Sequence, residues 1–83
     1  MDRRPWTSRP WTVYAVTVRI RLNGEAYELP GPVTVSGLLT HLAIDSRRIA
    51  VELNLTVLKR STFDTVMVNE GDEVEIVNFV GGG

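Results

Sequence analysis

The sequence contains no cysteine. Disulfide frameworks, iron–sulfur clusters and thiolate nucleophiles depend on that side chain and are therefore excluded, and structural zinc sites lose their usual ligand. Histidine occurs once, at His41, so we predict neither a metal site nor a nucleophile–histidine triad. A chain without cysteine fits a reducing compartment, and we expect a cytoplasmic location.

Long apolar runs are also missing. No stretch approaches the ~20 consecutive apolar residues that a membrane-spanning helix needs, and the opening MDRRPWTSRPWT lacks the apolar segment of a signal peptide. A net charge of −1 gives no general basic surface for nucleic acid. We therefore expect this protein to contact neither membranes nor nucleic acid.

Basic residues are absent between positions 61 and 80, whereas the first 21 residues hold five arginines and one aspartate. The acidic side chains of this later segment are Asp64, Glu70, Asp72, Glu73 and Glu75. A solvated surface explains many such charge runs, but the asymmetry also favours a partner with a basic docking surface.

An 83-residue chain has the length of one small domain, with little apolar material to spare for an internal cavity. Residues 1–14 contain the direct repeat RPWTSRPWT, whose prolines argue against a helix or a central strand. We predict a flexible leader over residues 1–14, a folded domain over residues 15–80 and a flexible glycine tail over residues 81–83.

The first folded element is predicted to be a β-hairpin. AVTVRIRL alternates apolar and polar residues, which is typical of a half-buried strand, and Asn23-Gly24 favours a two-residue type I′ turn into EAYEL. Pairing Leu22 with Glu25 then places Ile20 opposite Tyr27 and Arg19 opposite Glu28.

One helix follows the hairpin. Thr34 can cap it, and the apolar side chains recur at helical spacing: Val35, Leu38, Leu39, Leu42 and Ala43. Gly37 within it indicates a close approach between helix and sheet. RIAVELN, LTVLKR, TVMV and EVEIVNFV then predict further strands, with TVMV at an edge. The order of elements predicts an α+β fold in which the helix packs on the hairpin.

Three longer segments indicate which kind of α+β fold is present. They are LNGEAYELPGPVTVSGLLTHLAIDSRRIAVELN, KRSTF and EGDEVEIVNFVGGG. Together they resemble the ThiS-type sulfur carriers of thiamine biosynthesis over residues 16–83. The resemblance implies a ubiquitin-like β-grasp fold, in which a mixed four- to five-stranded sheet wraps one main helix. Leu55 and Lys59 depart from the pattern, because family members commonly have glycine and proline at these positions.

The same resemblance implies that the protein is a co-substrate rather than an enzyme. An E1-like adenylyltransferase would use ATP and Mg²⁺ to adenylate the carboxylate of Gly83. A sulfur donor protein would convert it to a thiocarboxylate, and thiazole synthase would consume the sulfur. The alternatives are a carrier like the small subunit of molybdopterin synthase, and a ubiquitin-like protein modifier or binding module. The chain itself is expected to bind no cofactor.

Two regions are predicted to meet these partners. Gly81 and Gly82 lack Cβ atoms and can pass with Gly83 through a narrow channel. If Val74 and Ile76 face the helix, the opposite sheet face carries Glu73, Glu75, Val77 and Phe79. Phe79 would then anchor an interface, and a bulge that turns it into the core is the open alternative.

Overall fold

The computed structural model describes residues 17–79 of the chain. The predicted leader and glycine tail lie outside these residues, so the domain boundaries stay predictions. Within the described part no helix combines the length and apolar character needed to cross a membrane.

Seven strands, one α-helix and two short 3₁₀ helices make up the described chain. The strands are β1 (Val18–Leu22), β2 (Glu25–Leu29), β3 (Val33–Thr34), β4 (Ile49–Leu53), β5 (Thr56–Val57), β6 (Met67–Val68) and β7 (Glu73–Asn78). Helix α1 spans Val35–His41, and the 3₁₀ helices span Ser46–Arg48 and Arg60–Thr62.

Five strands form one mixed sheet in the order β2-β1-β7-β4-β5. β7 runs parallel to β1 and antiparallel to β4, and both hairpins are antiparallel. This sheet with its single main helix confirms the predicted α+β, β-grasp architecture. The predicted TVMV edge strand is observed as β6, but it pairs with β3 in a separate two-stranded ladder rather than with the main sheet.

The N-terminal hairpin has the predicted register. Leu22 pairs with Glu25, Ile20 with Tyr27 and Arg19 with Glu28. Asn23 and Gly24 both have positive φ, at 51° and 85°, as a type I′ turn requires. Local sequence signals therefore determine this element.

Helix α1 begins as predicted, because the Thr34 hydroxyl accepts a hydrogen bond from the Gly37 N–H at 3.0 Å. Its end differs from the prediction. Ala43, which we expected on the apolar stripe, is exposed and has φ of 59°. Hydrogen bonds from Ala43 N–H to Thr40 O and from Ile44 N–H to Leu39 O close a Schellman motif. The usual glycine signal of that motif is missing from the sequence.

The core lies between the helix and one face of the sheet. Its fully buried side chains include Leu38 of the helix, Val51 of β4 and Val74 of β7. Gly37 does mark a close approach, but to the segment before the helix: a Cβ atom there would lie 3.2 Å from Val33 Cβ. The prediction that Gly37 allows a close approach to the main sheet is therefore wrong, because the close neighbour is Val33 and not a residue of that sheet.

Candidate functional site

The sheet face opposite the helix carries the predicted docking residues. Val74 is fully buried in the core, so its neighbours along β7 point away from the helix. Cross-strand partners share a face, which extends this surface to the adjacent strands. We call it the outer face; it comprises Arg19, Arg21, Ala26, Glu28, Ala50, Glu52, Val57, Glu73, Glu75 and Val77.

Val77 and Phe79 expose apolar surface at the end of this face. Their exposed fractions are 54% and 55%. Phe79 follows β7 by one residue and is not turned into the core. Of the two alternatives that the sequence left open, an exposed Phe79 and a Phe79 turned inward by a bulge, the structure has the exposed one. The role of either residue in partner binding stays a prediction.

Ion pairs cover one side of the outer face. Arg21 Nε lies 3.9 Å from Glu73 Oε2, as expected for neighbouring first and last strands. Arg19 instead pairs with Glu28 on β2, with Nε 3.5 Å from Oε2. All four side chains are largely exposed, so each pair contributes only ~0–1 kcal/mol to the free energy of unfolding.

The other side of the outer face holds two facing carboxylates. Glu52 of β4 is the cross-strand partner of Glu75 of β7. Among residues 17–79, neither has a basic side chain within ion-pair distance. Like charges directly opposite each other destabilise a sheet. The register therefore places an unfavourable acidic pair beside the exposed Val57 and Val77.

The turn between β4 and β5 carries a second unfavourable feature. Asn54 and Leu55 have φ of 51° and 71°, so the turn is of the left-handed kind that glycine and asparagine adopt easily and a bulky residue does not. Leu55 is also 82% exposed, and Val57 two residues later is 65% exposed. A strained, solvent-facing leucine adds nothing to the core.

The base of the C-terminal tail is held by the segment before β4. Phe79 N–H donates to Arg48 O at 2.9 Å. Arg60 also holds this segment, since its guanidinium donates to the carbonyl oxygens of Ser46, Arg47 and Ile49 at 3.0–3.3 Å. These bonds fix where residue 79 leaves the folded body.

An exposed ion pair caps the first 3₁₀ helix in this segment. Arg47 donates through Nη2 to Asp45 Oδ2 at 2.8 Å, and its backbone N–H donates to Asp45 Oδ1 at 2.9 Å. The side-chain hydrogen bond from Arg47, followed by its backbone hydrogen bond, lowers the pKa of Asp45 well below the ordinary value. Asp45 therefore stays ionised at lower pH than an ordinary aspartate does, and its hydrogen bonds hold the turn next to the tail base.

The remaining predicted residues fall into two groups. Gly81, Gly82 and Gly83 lie outside the described residues, so their role stays a prediction. His41 is exposed, as expected, and its Nε2 lies 3.1 Å from the Tyr27 hydroxyl. Within residues 17–79 no three metal-ligating side chains cluster.

Sequence reasoning missed four residues of this region: Glu52, Leu55, Val57 and Arg60. The alternation in IAVEL already places Glu52 away from the core. Only the pairing of β4 with β7 brings it opposite Glu75, and that pairing is non-local. For Leu55 the sequence did contain a signal of an unusual turn, because leucine follows Asn54 at a position where the resemblance leads one to expect glycine.

Known proteins are similar to this chain over the described fold, and the similarity to one family continues through the glycine tail. The ThiS family model matches residues 20–83. A crystal structure of thiamine biosynthesis protein ThiS from Geobacter metallireducens is 36% identical, with a TM-score of 0.72. The match covers 80% of this chain and 100% of that one.

Two relatives differ from each other in length. Thiazole synthase of Paramagnetospirillum magneticum is 44% identical over 66 residues, or 80% of this chain, and this chain spans 20% of that protein. The uncharacterized protein ycf40 of Porphyra purpurea is 39% identical over 66 residues, and in that case 93% of the relative is covered. Segments similar to this chain thus occur both as nearly whole proteins and as one fifth of a longer one.

Proposed function

The chain belongs to the ThiS family, and on that premise we propose that it is a sulfur carrier of thiamine biosynthesis. The folded body serves as the part that partners recognise, and the reactive group is the α-carboxylate of Gly83. The observation that carries the proposal is the family match, which runs through the glycine tail to residue 83.

Sulfur loading proceeds in two steps in this proposal. At neutral pH the terminal carboxyl group is ionised, and one of its oxygens attacks the α-phosphate of ATP as pyrophosphate leaves. The resulting acyl adenylate has a good leaving group. Sulfide (HS⁻) released by the donor protein attacks the carbonyl carbon, the bond from that carbon to the AMP oxygen breaks as AMP departs, and loss of the sulfide proton leaves the thiocarboxylate. An E1-like adenylyltransferase supplies the ATP and Mg²⁺ site.

The residues near the tail suit this role. Gly82 and Gly83 have no side chain to block a narrow active-site channel, and Gly81 mainly lengthens the arm. Three extended residues reach about 10 Å beyond the body. Phe79 at the tail base is an exposed aromatic side chain beside the exposed Val77, and aromatic side chains are enriched in protein interfaces.

Thiazole formation is favoured as the destination of the sulfur. A segment similar to this chain forms part of a protein named thiazole synthase. The carrier then acts as a co-substrate and not as a catalyst. Delivery to a molybdopterin synthase and attachment to protein lysines are the alternatives that the following test separates.

The test is loading of the purified chain. We expect incubation with its activating enzyme, ATP, Mg²⁺ and a sulfide source to increase the intact mass by one oxygen-to-sulfur exchange. Adding purified thiazole synthase and its substrates should return the mass to its starting value. Loading without turnover by thiazole synthase, but with turnover by molybdopterin synthase, would contradict the proposed destination.

A matched pair of variants tests the reactive group. One alanine appended after Gly83 should abolish loading, because the free acid is then one residue out of place. Gly81→Ala, which keeps the terminus, should retain loading. Equal loading of the extended chain and the unmodified one would contradict the assignment of Gly83, as would isopeptide adducts in place of a thiocarboxylate.

A further inference from the structure

Strand β2 is an edge strand of the main sheet, and its open edge carries backbone groups that no described residue pairs. The adjacent strand β1 shows which groups these are. Arg21 N–H donates to Asp72 O, and Arg19 O accepts a hydrogen bond from the segment that leads into β7. Their cross-strand partners Ala26 and Glu28 have the opposite orientation, because bonding alternates along an antiparallel pair. The N–H and C=O groups of Ala26 and Glu28 therefore point away from the sheet.

The open edge of β2 lacks the usual protection against pairing. The opposite edge strand β5 has two residues, whereas β2 has five, EAYEL, with no proline or lysine. Its register with β1 is unbroken by a bulge. Glu28 carries a charge that could deter another strand, but Arg19 Nε lies 3.5 Å from its carboxylate and balances it. Edges of this kind accept a further strand.

We propose that β2 pairs antiparallel with β2 of a second copy of this chain, about a two-fold axis at Tyr27. The two five-stranded sheets then form one continuous sheet. Ala26 of each copy faces Glu28 of the other. Each of these two pairs exchanges two backbone hydrogen bonds, so the interface contains four. This inference does not depend on the proposed function.

The register follows from the residues of the strand. An axis at Ala26 would pair that residue with itself and leave Glu28 opposite the turn residue Gly24 of the second copy. An axis at Glu28 would place two glutamates directly opposite each other and Ala26 opposite Pro30, which has no N–H. The axis at Tyr27 gives two complete hydrogen-bonded pairs without like charges face to face.

The side chains on the outer face favour a second copy as the occupant of this edge. An open groove of about 280 Å³ is lined by Arg19, Ala26, Tyr27 and Glu28. In the proposed register, Glu28 of the second copy lies over the small side chain of Ala26. Arg21 lies on the far side of Ala26, as its partner in β1. Each Glu28 carboxylate therefore lies between arginines of both copies, and the charges of the two edges are complementary.

On the helix side of the sheet, the axis brings two aromatic rings together. Tyr27 is packed at the margin of the core, and its ring meets the ring of His41 edge-on, with the centroids 6.0 Å apart. The Tyr27 hydroxyl lies 3.1 Å from His41 Nε2. Opposite each other without backbone hydrogen bonds, the two Tyr27 residues would have Cα atoms ~4.5 Å apart. Aromatic pairs at such positions stabilise a sheet.

The pairing leaves both tail bases accessible. Glu73 is level with Arg21, one residue from the level of the axis, and Phe79 lies six residues further along. The tail base is therefore about 20 Å from the axis along the strand direction. Because the copies are antiparallel, their tails leave at opposite ends of the joined sheet.

Sedimentation equilibrium of the full chain tests the pairing. Two short strands bury less than the ~1,600 Å² of an ordinary interface, so association should be weak. We expect the mass to rise from one chain to two between about 10 μM and about 1 mM. A single-chain mass throughout this range would overturn the inference.

Matched variants locate the interface. Ala26→Pro removes an N–H that points to the open edge and spares the ladder with β1, and Tyr27→Lys places two ammonium groups at the axis. Both should remain single chains at the highest concentration. Tyr27→Phe keeps the aromatic pair, and Glu52→Gln changes a carboxylate on β4, so both should associate within twofold of wild type. Circular dichroism of each variant checks that it is folded. Association of folded Ala26→Pro and Tyr27→Lys at the wild-type level would refute the assignment of β2.

Amide hydrogen exchange distinguishes a second copy from other occupants of the edge. Exchange at Ala26 and Glu28 should slow as the concentration of the chain rises. In a sample of mixed labelled and unlabelled chains, an NOE should join the Tyr27 Hα protons of the two copies. Protection that is independent of concentration would assign the edge to residues 1–16 of the same chain. Protection that appears only when an activating enzyme is added would assign the edge to that partner. Either result would overturn the inference.

Discussion

The two faces of strand β7 differ in what their side chains contribute. On the inner face, Val74 is fully buried against the helix and the neighbouring strands. On the outer face, Val77 is 54% exposed and Glu75 faces another glutamate. Both sets of residues belong to one six-residue strand, so the difference arises from the environment on each side and not from local sequence preference.

This contrast distinguishes residues that stabilise the fold from residues that lie exposed on its surface. Burial of the inner side chains provides the hydrophobic stabilisation of the domain. The outer side chains give the isolated chain little stability, and the Glu52–Glu75 pair reduces it. Side chains that the fold exposes and does not need for its stability are available for contact with a partner.

The largest expected effect on stability is that of truncating a valine on the inner face, and the same truncation on the outer face is its control. Val74→Ala should lower the free energy of unfolding by about 2–3 kcal/mol, from lost transfer energy and an unfilled cavity. Val77→Ala makes the same chemical change on the same strand and should cost less than about 0.5 kcal/mol. Urea unfolding of both variants measures the difference. Equal losses would show that the outer face is part of the core.

Replacing a residue that belongs to neither face should have an intermediate effect on the free energy of unfolding. Asn23 holds the first hairpin turn at positive φ, and its Oδ1 accepts the Ile76 N–H at 2.8 Å. Asn23→Ala should therefore cost about 1–2 kcal/mol of unfolding free energy, from backbone strain and an unpaired N–H. Asn69→Ala is the control, because the hydrogen bond of Asn69 to the Asp72 carboxylate comes from its backbone N–H. A loss as large in the control would refute the assigned role.

The smallest effect concerns pH at the tail base. Because Arg47 lowers the pKa of folded Asp45, the stabilisation from this pair is fully present above the ordinary value of 3.8 and is lost as pH falls through the lowered folded pKa. An NMR titration of the Asp45 carboxyl group should give a midpoint below 3.8 in the wild-type chain. Arg47→Ala should move it upward, and an unmoved midpoint would contradict Arg47 as the cause of the lowered pKa.

The parts of the fold that follow from neighbouring residues could be predicted from the sequence. The Asn23-Gly24 turn fixes the register of β1 and β2, and Thr34 marks the start of the helix. Both depend on contacts within a few residues. The end of the helix could not be predicted, because Ala43 occupies a left-handed position without the glycine that usually signals it.

The candidate site depends on pairing between distant segments, which sequence patterns specify weakly. Alternation placed Glu75 and Val77 on one face of β7, and the structure agrees. Glu52 joins them only through the β4–β7 register, and Arg60 reaches the tail base only through its bonds to the distant segment that holds Ser46. Tertiary contacts of this kind have no local signature.

The central claim is that the reagent of this protein is the terminal acid of Gly83, carried by a body that partners recognise. Fragmentation mass spectrometry of the loaded chain tests it most directly, because it reports which residue carries the new sulfur atom. The account predicts sulfur on the C-terminal fragment that contains Gly83 and on no other fragment. Sulfur on any internal residue, or a C-terminal fragment of unchanged mass from a loaded chain, would contradict it.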